Sequence, residues 1–277
     1  AGLALGGGKG VVLAAKQGDV ITTAQLEAFG RAVESLAGRY VTAEDVGMSE
    51  ERMKIIATQT RYVSGLPVAS GAAGGDPGPY TAHGVYLGVK AAAKRGLGVT
   101  DMKGVRVAIQ GVGSVGGGLA KLLAKDGAIL TIADVNQARA EQMAAELGAS
   151  VASADEILFA DVDLVSPNAL GAVLNADSIQ RLKAKVVAGG ANNQLATRED
   201  GARVAETGIL YAPDYVINAG GIINVGLEYL GQGDEAEVMA RIAKIPERLE
   251  QVWQRSAETG HPASDVADEI AQGLIGR

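Results

Sequence analysis

Four residues set the chemistry to look for first: Gly111, Gly113, Gly116 and, about 20 residues past the first of them, Asp134. Three glycines in this spacing suit a phosphate. Gly111 permits a tight turn, Gly113 has no Cβ and lets backbone approach a pyrophosphate, and Gly116 lets a helix pack against a sheet. Ser114 and Val115 lie between them, where a helix would begin and where unpaired N–H groups and the positive end of the helix favour an anion. A carboxylate at Asp134 can accept hydrogen bonds from both ribose hydroxyls and repels a 2′-phosphate, which favours NAD over NADP. Arg139 argues the other way, although a solvated surface arginine is the plainer reading.

The elements that must position these residues are legible around them. Val105–Gln110 is a short apolar run rich in β-branched residues, as a buried strand requires. Leu119, Leu122 and Leu123 recur on one helical face, and Gly127 is a C-cap. Ala128–Ala133 is a second buried strand ending on the acid. A lone glycine motif is weak evidence. With a strand before it, a helix after it and an acid at the right distance, it predicts a dinucleotide-binding βαβ unit.

Two further residues are candidates for chemistry. Lys9 follows Gly6, Gly7 and Gly8, but Gly10 follows it where a P-loop needs Ser or Thr, so the pair is not a P-loop. The remaining readings are an ammonium in a tight, backbone-lined place before a strand at Val11–Leu13, or an ordinary surface lysine. Asp45 follows an expected strand, Tyr40-Val41-Thr42. Acids at the carboxyl ends of strands are where α/β enzymes keep chemistry, and a turn or N-cap aspartate is the alternative.

Composition narrows the classes. The 277 residues allow two modest domains, 47% of them are hydrophobic, and the net charge is −7. No basic stripe interleaved with aromatics points to nucleic acid. There is no cysteine, and the two histidines, His83 and His261, lie far apart, so no metal site or histidine-based triad is expected. No apolar run of about 18 residues predicts a membrane span, and no secretory signal pattern is read at the start, so the expected location is the cytoplasm.

Along the chain, strands alternate with helices. Helices are expected at Thr22–Leu36, from Ser49, at Thr81–Lys94, Gln137–Leu147, Ile179–Leu182 and Arg198–Glu206. Further strands are expected at Val162–Val165, Lys185–Ala188 and Ile209–Tyr211. Polar clusters follow several strands on one end of the sheet, around Ala169, Asn193 and Asn218. Arg241–Arg255 is amphipathic and is interrupted by Pro246. The fold class is therefore α/β: a Rossmann-type doubly wound parallel sheet plus a partial α/β substrate domain. The expected domains are 1–79, partial substrate and catalytic; 80–225, NAD-binding; and 226–277, C-terminal helices returning to the first.

The assembled motifs resemble the amino acid dehydrogenases of the glutamate, leucine, phenylalanine and valine group. The resemblance is carried by Gly6-Gly7-Gly8-Lys9, Gly38-Arg39-Tyr40-Val41-Thr42-Ala43-Glu44-Asp45-Val46-Gly47, the dinucleotide turn, Ala191-Asn192-Asn193-Gln194-Leu195 and the run from Tyr211 to Gly221. The first two strings look more like the leucine/valine branch. The resemblance implies that Lys9 is the catalytic lysine and Asp45 the catalytic aspartate. It implies that Asn218 hydrogen-bonds the substrate's amino and carboxylate groups. Ala43 walls the side-chain pocket, and Thr81 and Asn193 lie near the nicotinamide. Gly111, Gly113, Ser114, Val115, Gly116, Asp134 and Ala169 join Thr81, Asn193 and Asn218 as the cofactor-binding set. The implied partners are NAD, a small amino acid and further copies of the chain.

Departures from the family pattern shape the remaining expectations. The family's carboxylate-binding lysine falls before Ala1, as do the strands that open its substrate domain. Asn168 follows Pro167 where a cysteine is usual, and Pro246 falls in a helix that helps line the side-chain pocket. The expected function is reversible NAD-dependent oxidative deamination of an apolar, leucine- or valine-like L-amino acid. A phenylalanine preference is one alternative, and a catalytically silent NAD-binding module is another.

Overall fold

A computed structural model describes all residues except 14, 15, 17, 46, 68–70 and 277. It divides into two compact units. One comprises Ala1–Pro77 with Gly221–Arg241, and the other Gly78–Gly220 with Ile242–Arg277.

In the first unit, α1 (Thr23–Ser35) starts at a capping box in which Thr22 and Gln25 satisfy each other's backbone amides. Its Leu26 packs with Met53 and Ile56 of α2 (Glu50–Ala57) in a small, fully buried cluster. The expected strand at Tyr40–Thr42 is not formed. Thr42 makes only an isolated bridge to Val63, because no longer run lies beside it among the described residues. The expected strand at Val11–Leu13 is likewise not formed: Val11 and Leu13 are exposed, and no strand pairs with them among the described residues.

The second unit opens with α3 (Gly78–Leu97), which begins three residues earlier than its apolar pattern. The sheet follows: β1 (Arg106–Gln110), α4 (Ser114–Lys125), β2 (Ile129–Ala133), α5 (Gln137–Leu147), β3 (Ser150–Val151) and β4 (Leu164–Pro167). Then come α6 (Ala176–Arg181), β5 (Val186–Val187), α7 (Glu199–Glu206), β6 (Leu210–Tyr211) and α8 (Asp214–Ile217). All six strands are parallel, in the order β3-β2-β1-β4-β5-β6. The chain winds outward in both directions from β1, so the β1/β4 pair is the switch point, the usual ligand position in such sheets. Val107, Ala108 and Ile109 of β1 are fully buried, as expected of a strand covered on both faces.

The C-terminal part carries α9 (Gly220–Leu230), α10 (Glu235–Ile242), α11 (Ile245–Thr259) and α12 (Ala263–Leu274). Pro246 sits in the first turn of α11 and separates it from α10. Trp253 of α11 is buried, and its indole N–H donates to the carbonyl of Tyr211 on edge strand β6 at 2.8 Å. No helix among the described residues is long and apolar enough to cross a membrane.

Candidate active site

Register places the glycine turn against the end of β4. Gln110 pairs with Pro167, so the residues that follow each strand meet. Gly111 turns away with φ +84°, and a Cβ there would meet Ala169 at 3.0 Å. Gly116 is closer still: an added Cβ would fall 1.9 Å from the Gly111 carbonyl oxygen and 3.0 Å from the Asn168 Cβ. Gly113 differs from both. It is the N-cap of α4, has an ordinary φ of −70°, and nothing lies within 4 Å of a Cβ built on it. The fold itself makes no demand for glycine there, whereas a phosphate in contact with the backbone would. No side chain caps this helix, so its first N–H groups keep an open face.

Asp134 directly follows β2, with its carboxylate buried. Its Oδ2 accepts from the Val112 N–H at 2.9 Å, and its Oδ1 accepts from the Asn136 N–H at 2.8 Å. Oδ1 keeps a second lone pair for a hydroxyl, whereas the second lone pair of Oδ2 accepts from Arg139. Arg139 Nη1 lies 3.5 Å from Oδ2, with half of its side chain exposed. The turn, the uncapped helix and the anchored carboxylate fit the two ends of an adenosine diphosphate group, as a pyridine nucleotide would need.

Beyond β4 and β5 the structure assembles a set of amides. Asn168 Oδ1 accepts from the Gly190 N–H at 2.8 Å, and its Nδ2 donates to Ser166. A Cβ on Gly190 would meet Asn168, Val115 and Val85, each at 3.0 Å. The side chain of Gln194 is fully buried and staples this loop by donating to the Gly189 and Ala191 carbonyls. Asn193 holds a left-handed φ of +52°, a conformation that asparagine tolerates better than most side chains. Asn218, the C-cap of α8, donates its side-chain amide to the Gly190 carbonyl at 3.2 Å and to Asn192 Oδ1 at 2.6 Å. Gly220 packs on the first turn of α3: a Cβ there would fall 2.2 Å from the Tyr80 carbonyl oxygen and 3.1 Å from the Cα of Thr81. Thr81, Val115, Ala169, Asn193 and Asn218 thus belong to one framework within the second unit.

The first unit holds the other two candidates together. The Lys9 ammonium forms an ion pair with Asp45 Oδ2. Tyr40 organises the approach. Its hydroxyl accepts from the Gly10 N–H at 2.9 Å, and its ring lies where a Cβ on Gly8 would be, 2.8 Å from the nearest ring atom. The glycines beside Lys9 are therefore the tight part, whereas the lysine side chain itself is 67% exposed within this structure. On the other side, a turn returns the Met48 N–H to the Asp45 carbonyl at 2.8 Å. Ala43 is half-buried beside Thr42, which is held by hydrogen bonds with Tyr62 and Ser64. Ser64 in turn donates to the Val225 carbonyl and to Glu228 on α9. Next to Asp45, Glu44 has a buried Oε2 without a hydrogen-bond partner. Burial pushes its carboxyl above the ordinary glutamate range, aided by Asp76, Glu50 and Glu51. Val46 lies outside the described residues.

Among the described residues, no group of three or more acids and histidines could hold a metal ion. Sequence reasoning passed over Tyr40, Asn168, Asn192 and Gln194 as structural parts of the site. The Asn168 position after β4 was the one local signal. The other contacts join segments that no periodicity connects.

Residues 129–273 match the family described as Glutamate/Leucine/Phenylalanine/Valine dehydrogenase. The leucine dehydrogenase of Thermoactinomyces intermedius is 45% identical over 99% of this chain and 74% of its own length. That of Bacillus subtilis is 44% identical over all of this chain and 75% of its own. The crystal structure of L-tryptophan dehydrogenase from Nostoc punctiforme superposes with a TM-score of 0.78 at 37% identity, covering 92% of this chain and 73% of that one. A glutamate dehydrogenase from Thermus thermophilus, at 22% identity and a TM-score of 0.69, shares the fold. Members of this family generally depend on a pyridine nucleotide. On motif order, sheet topology and these similarities together, the chain belongs to the Glu/Leu/Phe/Val dehydrogenase family of oxidoreductases acting on CH–NH2 groups.

Proposed function

We propose that this chain catalyses the reversible oxidative deamination of apolar, leucine- or valine-like L-amino acids with NAD, yielding the 2-oxo acid and ammonia. The observation that carries the reading is the Lys9–Asp45 ion pair, which joins a cation and a carboxylate from segments 36 residues apart in sequence. A pyridine nucleotide held by the glycine turn and Asp134 would supply the hydride acceptor, and the substrate that has lost hydride from its α-carbon is an iminium. Lys9 holds and polarises the water that attacks the iminium carbon. Asp45 takes a proton from the substrate ammonium before hydride loss and returns it as ammonia leaves. The Asn218 amide binds the substrate head, and half-buried Ala43 leaves room for an aliphatic side chain. Asp134 supports NAD as the nucleotide, because its buried carboxylate repels a 2′-phosphate. A cytoplasmic homo-oligomer is part of the same reading.

The test is NADH formation at alkaline pH with L-leucine, L-valine, L-phenylalanine, L-tryptophan and L-glutamate. Preferential turnover of the aliphatic pair is expected. Lys9→Ala should abolish turnover with NAD affinity retained, and normal turnover in that variant would refute the assignment. NAD binding without turnover of any amino acid would favour a silent module.

A further inference from the structure

The side-chain amide of Asn218 has two hydrogens and both are spoken for. One goes to the Gly190 carbonyl at 3.2 Å and the other to Asn192 Oδ1 at 2.6 Å. A backbone carbonyl can only accept, so the contact with Gly190 fixes which end of the amide is nitrogen. With both donors used, the open part of this group is Oδ1, which accepts and cannot donate. An acceptor suits an ammonium and opposes a carboxylate or a keto oxygen.

We propose that Asn192 is a positioning residue that makes Asn218 an acceptor-only contact, selective for the amino group of the substrate over its carboxylate and over the 2-oxo group of the product. The inference rests on the reading of Asn218 as a substrate residue. It alters that reading in one respect, since contact with both amino and carboxylate groups becomes contact with the amino group alone. Asn192 is suited to the task because its own loop is held independently. Gln194 staples the Gly189 and Ala191 carbonyls, and the Gln194 N–H donates to Asp214 Oδ2 at 2.9 Å, at the start of the helix that ends in Asn218. Both partners are thus fixed by the same short segment. The side chain of Asn192 is exposed, so its replacement removes one contact without opening the core.

The test measures dissociation constants for L-leucine and for its 2-oxo acid by calorimetry, on the full chain saturated with NADH. The unaltered protein is compared with Asn192→Ala, Asn192→Asp and Asn218→Ala. Loss of one hydrogen bond frees the Asn218 amide to rotate, so Asn192→Ala should weaken L-leucine by about threefold to tenfold. The released N–H can donate to an oxo or carboxylate oxygen, so the 2-oxo acid should keep its affinity or bind more tightly. Asn192→Asp keeps the acceptor and should restore L-leucine binding. Equal weakening of both ligands by Asn192→Ala, or failure of Asn192→Asp to rescue, would overturn the proposal. Unchanged binding in Asn218→Ala, or no binding of either ligand by the unaltered protein, would instead refute the reading of Asn218 on which it stands.

Discussion

Gly113 and Gly116 separate what the fold needs from what a ligand needs. Replacing Gly116 by Ala places a Cβ 1.9 Å from the Gly111 carbonyl oxygen and 3.0 Å from the Asn168 Cβ. Neither neighbour is the far end of a flexible side chain, so the turn itself must move by more than an ångström. Overpacking usually costs about 1–3 kcal/mol, and a backbone obstacle puts this case at or above the upper figure. In a unit of this size, about 3 kcal/mol corresponds to a melting point lowered by roughly 6–12 °C. Gly113→Ala meets nothing within 4 Å and keeps a φ that alanine accepts. Its stability should hold or rise by up to about 1 kcal/mol, because the unfolded chain loses freedom. The methyl group nevertheless stands where a pyrophosphate would touch the backbone, so NAD affinity should fall by at least about tenfold, or 1.4 kcal/mol. Thermal unfolding and calorimetric titration with NAD read the two effects separately. A Gly113→Ala protein with undiminished NAD affinity would refute the phosphate reading, and a Gly116→Ala protein that melts normally would refute the packing argument.

Three further outcomes are expected. Asp134→Ser removes the carboxylate that faces a 2′-phosphate and frees Arg139, 3.5 Å away, so the NADP-to-NAD affinity ratio should rise at least about tenfold in parallel titrations. Glu44 carries a raised pKa, so the folded protein binds its proton more tightly than the unfolded chain does. Its ionisation therefore weakens the fold as pH rises through the folded value, and Glu44→Gln should melt higher than the parent near about pH 8 and no higher near about pH 4. Asp163 has the opposite sign: hydrogen bonds from Arg106, at 2.8 Å from Nη2 and 2.9 Å from the backbone N–H, hold its carboxyl below the ordinary range. Its contribution is present above the unfolded pKa and lost as pH falls through the folded one, so Asp163→Asn should lower the melting point near neutrality, and the gap should close below about pH 3.

The parts of the fold legible in the sequence are those whose physics is local. Buried parallel strands are apolar throughout, and β1 and β2 stand out for that reason. Helix α5 ends at Gly148 because the chain there takes a left-handed φ of +66°. Pro246 divides α10 from α11 because its ring tolerates only the first turn of a helix. The strands expected at Val11–Leu13 and Tyr40–Thr42 failed because β-branched residues favour a strand but cannot supply its partner. Strand β3 was missed for the converse reason: it is two residues long, at the edge, and formed by pairing with β2. The glycine turn was legible because each of its residues answers to its neighbours in sequence. The amide set around Asn192, Asn218 and Gln194 was not, because its bonds join the ends of β5 and α8 through side chains whose sequence spacing carries no period.

The Trp253–Tyr211 hydrogen bond has a practical consequence. Trp253 is the single tryptophan of the chain, and both it and its partner lie in the sheet-bearing unit. Selectively excited indole fluorescence therefore reports the melting of that unit alone, whereas circular dichroism sums the helices of both. If the two signals trace one curve in denaturant, the units unfold as a single cooperative body; if they part, each acquires its own midpoint, and the effect of any substitution can be assigned to the half of the molecule that carries it.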